Sequence, residues 1–144
     1  MKKHVYLLTL VISLFLGGCA TNLTATLAPG ANLDDLGKTA VVRFDPDKRN
    51  LNWVIADQLT AMGYPAVAVE KENLPDDVKT IVTYEDKWQW DLTNYMINIH
   101  IEFMDGKSGN LIVSGESYRT SLARKSPEEM IRETLQEILK KKKT

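Results

Sequence analysis

The chain has 144 residues, 44% of them hydrophobic and 26% charged, with a formal net charge of −1. That length suits one domain rather than two, and the composition excludes wholesale disorder. The balanced charge excludes the basic face that nucleic-acid binding needs, and a single cysteine excludes an intramolecular disulfide.

Residues 1–18 read as a signal peptide. Met1-Lys2-Lys3-His4 is a short basic start, and Val5 to Leu16 is almost unbroken apolar sequence. Gly17-Gly18 then put small side chains just ahead of Cys19. Basic, apolar and small regions in that order are the layout of a secretory signal. The apolar stretch is shorter than the roughly 20 residues of a comfortable transmembrane helix.

Leu16-Gly17-Gly18-Cys19 resembles the lipobox of bacterial lipoproteins. The resemblance implies diacylglycerol on the Cys19 thiol, cleavage before Cys19 and acylation of the new amino group. The chain would then be held at a membrane through its N-terminal acyl chains, each buried methylene adding about 0.8 kcal/mol. Ala20, rather than Asp, follows the cysteine, which by the sorting rule of enterobacterial lipoproteins implies the outer membrane, facing the periplasm. Cleavage removes Lys2 and Lys3 and no acids, so the net charge moves from −1 to about −3.

Residues 19–37 read as the lipidated cysteine followed by a flexible tether. The segment is rich in Thr, Asn, Asp, Pro and Gly and has no sustained period, except for one extended piece at Leu23–Leu27. Residues 38–144 read as a single α+β domain. Thr39 to Phe44 is a predicted strand. A helix follows from an Asn50 cap to Met62, with an apolar face of Leu51, Val54, Ile55, Leu59 and Met62. Gly63 suits its left-handed end, and Pro65 forbids continuation. Ala66 to Glu70 is a second strand, expected parallel to the first across a β-α-β crossover.

Three longer strands follow the loop at Lys71 to Asp77. Thr80 to Trp90 places Val82, Tyr84, Trp88 and Trp90 on one parity. Asp91 to Asn94 is a turn. Tyr95 to Phe103 alternates cleanly, with Tyr95, Ile97, Ile99, Ile101 and Phe103 to one side and Met96, Asn98, His100 and Glu102 to the other. After a glycine-bearing turn at Asp105 to Asn110, Leu111 to Tyr118 completes an antiparallel meander. The last helix opens on Ser126-Pro127-Glu128-Glu129, a capping box with proline at its first position. Its stripe is Met130, Ile131, Leu135, Ile138 and Leu139. Two helices, each with one apolar stripe, belong on one face of a mixed sheet, which gives an α+β two-layer sandwich.

No catalytic constellation emerges. His4 leaves with the signal peptide, and His100 shares its strand face with Asn98 and Glu102. A zinc site needs three or four convergent ligands, which the remaining residues do not supply. No metal or cofactor is expected, and the chain is expected not to be an enzyme. The serines fall in turns, strands and a helix cap, none in a nucleophile-elbow context.

The distinctive stretch is Tyr84-Glu85-Asp86-Lys87-Trp88-Gln89-Trp90-Asp91, followed by Tyr95-Met96. Tyr84, Trp88 and Trp90 share one strand parity. They read either as core or as an exposed aromatic face for a ligand or partner. With the lipobox and the β-α-β opening, this stretch resembles a family of small uncharacterised proteobacterial lipoproteins. They carry the same Tyr-x-x-x-Trp-x-Trp-Asp strand motif, and the resemblance implies no activity and no catalytic residues. The expectation is a non-enzymatic, membrane-anchored accessory or binding subunit in envelope assembly or transport, with an envelope protein as partner. The alternative is a module that binds a small ligand or lipid, on the aromatic strand face or in the groove between helices and sheet.

Overall fold

A computed structural model describes residues 21–142. The signal peptide, Cys19 and Ala20 lie outside the described residues. Six strands form one sheet: β1 (Thr21–Leu27), β2 (Thr39–Val42), β3 (Ala66–Val69), β4 (Thr80–Asp91), β5 (Thr93–Asp105) and β6 (Leu111–Arg119). Among the described residues two α-helices, α1 (Leu51–Ala61) and α2 (Pro127–Leu139), pack on it. The sheet order is β1-β6-β5-β4-β2-β3. β2 runs parallel to both β3 and β4, while β4, β5, β6 and β1 pair antiparallel in turn. This is the expected α+β sandwich with a mixed sheet.

Both helices bury their stripes against the same sheet face. Ile55 and Leu59 of α1 and Met130, Ile131, Leu135 and Ile138 of α2 join Val82, Tyr84, Ile99, Ile101, Phe103 and Val113 in one core. The Gln58 side-chain amide donates to the Glu128 carbonyl at 2.8 Å and joins the two helices. Gly115 makes the close packing of α2 possible. A Cβ there would stand 2.6 Å from Cγ1 of Ile138.

The extended piece expected at Leu23–Leu27 is present and longer, and residues 21–27 belong to the sheet rather than to the tether. They form β1, paired along their whole length with β6 from Thr21↔Arg119 to Leu27↔Val113. The segment behind them is also fixed, because Leu33 and Leu36 are buried in the core. Polar composition misled here for a definite reason. A half-covered edge strand shows water one side and one edge, so threonine and asparagine fill it without cost.

Asn50 does not cap α1 with its side chain. It adopts the left-handed conformation (φ 56°) and makes no side-chain cap hydrogen bond. Asp47 does the work instead: its carboxylate accepts from the Leu51 and Arg49 backbone N–H groups, both at 2.6 Å. The α2 capping box forms as expected, with the Ser126 hydroxyl accepting from Glu129 N–H and the Glu129 carboxylate accepting from Ser126 N–H.

The alternation of β5 breaks at a β-bulge. Lys87 pairs with Asn98, but Trp88 pairs with Met96, leaving Ile97 as an extra residue. A bulge reverses the parity of everything beyond it. Met96 therefore joins Ile99, Ile101 and Phe103 in the core. Tyr95 pairs with Gln89 and turns the other way. The expected run of Tyr95 through Phe103 on a single face is corrected accordingly.

Candidate functional site

Tyr84, Trp88 and Trp90 do not make one aromatic face. Tyr84 is core, 3% exposed. Its hydroxyl donates to Oδ2 of Asp47 at 2.7 Å and accepts from the Asn52 N–H at 3.1 Å. Phe44 meets its ring edge-on, with centroids 6.1 Å apart. Burial, and then donation to Asp47, push the Tyr84 hydroxyl well above the usual tyrosine range. Tyr84 therefore serves to fix the start of α1 to the sheet rather than to meet a ligand.

Trp88 is half-buried. Its indole N–H donates to Asp86, and the Arg49 guanidinium stacks over its ring, 3.6 Å from the centroid. Such a stack is worth about 0.5–2 kcal/mol, more as it is desolvated. Burial raises the Asp86 carboxyl above its ordinary range; the Trp88 hydrogen bond opposes that shift and the nearby Asp47 charge adds to it. These residues knit the loop before α1 onto β4.

Trp90 is different. It is 71% exposed near the β4–β5 turn. Leu92, 88% exposed, sits at that turn with φ 58°. Leu122, 83% exposed, lies in the short 3₁₀ turn Ser121–Ala123. Arg124 holds this turn against the hairpin. Its guanidinium donates to the Asp91 carboxylate at 2.9 Å and to the Thr93 hydroxyl at 3.0 Å, and stacks 4.0 Å from the Tyr95 centroid. Residue pattern alone did not find Leu92 or Leu122. The available signal was an apolar side chain in a polar turn. Trp53 is also exposed, at 59%, on the outer side of α1; its position off the apolar stripe was that signal.

The sheet face opposite the helices carries a polar centre. His100 of β5 stands opposite Glu85 of β4 and Glu116 of β6. Its Nε2 lies 3.2 Å from Oε1 of Glu102. Asn98 donates to Glu116 at 2.6 Å. No group of three or more His, Cys, Asp or Glu side chains among the described residues is placed to hold a metal ion. Beside this band, Val42, Phe44, Leu74, Ile81 and Thr83 line a shallow recess of about 310 Å³, near the lower limit for small-molecule sites. The groove between helices and sheet, by contrast, is filled by core side chains. No described helix is long and apolar enough to cross a membrane.

Comparison with known proteins finds no matching family model and no matching curated protein. Among solved structures the chain is similar to the PelC dodecamer from Paraburkholderia phytofirmans. Identity is 18% and the TM-score 0.60, covering 83% of this chain and 98% of that one. A PelC variant dodecamer from the same organism, in another crystal form, matches at 18% identity and TM-score 0.58, covering 81% and 95%. TolB from Acinetobacter baumannii matches at 19% identity and TM-score 0.42, over 77% of this chain but 28% of that one. What this chain shares with the PelC structures is the fold, over nearly the whole of theirs.

Proposed function

We propose that this chain is a bacterial lipoprotein, cut before Cys19, acylated there and held at the outer membrane facing the periplasm. It acts as a non-enzymatic accessory subunit in envelope assembly or transport, and it works as an assembly of copies. The observation that carries the assembly is the fold shared with a chain described as a dodecamer, 98% of which is covered. The topology supports it. β1 and β3 lie at opposite sides of the sheet, and among the described residues each leaves one edge unpaired. A closed ring needs two different surfaces on opposite sides of each copy, joined head to tail. A sheet with dissimilar free edges offers that pair, and unpaired strand edges invite partners.

Sedimentation velocity of the full chain, extracted in mild detergent, tests the assembly. A discrete oligomer is expected, and a monomer at every concentration overturns it. Metabolic labelling with palmitate tests the anchor: label should vanish in Cys19→Ser, and label that survives the change sinks it. Capture of the native chain should recover a specific envelope partner; recovery of copies of itself alone removes the accessory role.

A further inference from the structure

Three exposed apolar side chains gather at one end of the sheet. β4 ends and β5 begins there, carrying Trp90 and Leu92 at the hairpin. β6 ends at the same side with Arg119 and leads into the turn that carries Leu122. β1 begins at this side too, because Thr21 pairs with Arg119. Cys19 precedes Thr21 by two residues, a reach of at most about 7 Å of extended chain. We propose that the β4–β5 tip and the Leu122 turn form a second, non-covalent membrane contact, seated in the headgroup zone of the bilayer to which Cys19 ties the chain. This rests on the lipoprotein reading for its orientation.

Two features of the tip point to lipid. First, its charge is compensated. Asp91 is paired with Arg124, and residues 92–94 and 120–123 are uncharged, so seating the tip carries no bare charge into the interface. Tryptophan favours that depth, where its ring is in an apolar setting and its N–H is wet. Second, Leu92 occupies a left-handed position that asparagine or glycine would fill with less strain. It is there nearly fully exposed, so it gains nothing from the fold. A bilayer supplies the burial that the chain itself withholds.

The test uses the full chain in vesicles of phosphatidylethanolamine and phosphatidylglycerol, with acyl chains brominated near the headgroup to quench indole on contact. Fluorescence should fall on reconstitution. Most of that fall should disappear in Trp90→Phe and persist in Trp53→Phe. In a Cys19→Ser background, Leu92→Asn with Leu122→Ser should weaken vesicle binding about tenfold or more. Both replacements suit exposed turns, and an unchanged circular dichroism spectrum verifies the fold. Unquenched Trp90 in a chain that carries palmitate overturns the contact and leaves the anchor standing. Failure of the unaltered chain to take up palmitate overturns the anchor alone, and quenching of Trp90 then still supports the contact. Trp90 shielded from acrylamide only where copies associate, without bromine quenching, assigns the patch to an interface between copies and overturns the proposal.

Discussion

Asp47 satisfies three donors at once: the backbone N–H groups of Arg49 and Leu51 and the Tyr84 hydroxyl. Removing it leaves the donor of the buried Tyr84 hydroxyl and a helix start unpartnered. Asp47→Ala should cost about 2–4 kcal/mol in urea unfolding, whereas Asn50→Gly should change stability by no more than about 0.5 kcal/mol, since Asn50 uses only its backbone freedom. A larger effect at Asn50 than at Asp47 would refute this division of labour. Glu133 is the second such residue. Burial alone would raise its carboxyl, but hydrogen bonds from Lys125 and Arg119 outweigh burial and hold it below the usual range. A depressed carboxyl contributes stability above its unfolded value of 4.5 and loses it as pH falls through that value toward the folded one. Glu133→Gln should therefore be destabilised by about 1–3 kcal/mol at neutral pH and by progressively less below pH 4.5. Equal destabilisation at both ends of an acid titration would refute the pairing.

The packing of α2 against β6 turns on Gly115. Gly115→Ala forces its new methyl into Ile138 and should cost about 1–3 kcal/mol. Ile138→Val in the same chain should recover part of that loss, a coupling that a double-mutant cycle in thermal unfolding measures directly. Additive effects would show that the helix shifts as a body instead. The elements themselves were largely legible. Apolar spacing located both helices, the capping box located the start of α2, and β-α-β order placed β2 beside β3 in parallel. Two kinds of feature were not legible. The extended piece at Leu23–Leu27 was legible, but its full length and its pairing with β6 were not, because an edge strand demands no apolar run. The bulge at Ile97 leaves every residue a credible strand former, so a strict period of two puts Met96 on the face away from the helices and Tyr95 on the core face, the reverse of what the bulge produces. The aromatic motif failed as a face for a related reason. Tyr84, Trp88 and Trp90 do share a parity, but the helices cover only part of β4's length. One parity therefore runs from core at Tyr84, through a guanidinium-capped Trp88, to open solvent at Trp90.

For the molecule as a whole, the sheet sets a gradient of stability. β5 is central, paired on both sides and packed under α2, while β1 and β3 are edges. Amide exchange should be slowest at Ile99 to Phe103 and faster in β1 and β3; uniform protection across the sheet would refute the gradient. The short link between Cys19 and β1 has a further consequence for assembly. With acyl chains at Cys19, a copy would be free to slide along the bilayer and spin about its normal but not to tumble end over end. Neighbouring copies would meet already upright, with their β1 and β3 edges at one height. Part of the rotational entropy that docking ordinarily costs would have been lost at anchoring. Confinement to a surface raises the local concentration of edges in the way a linker does. Weak edge contacts, insufficient between tumbling molecules in solution, could then close a ring on the membrane.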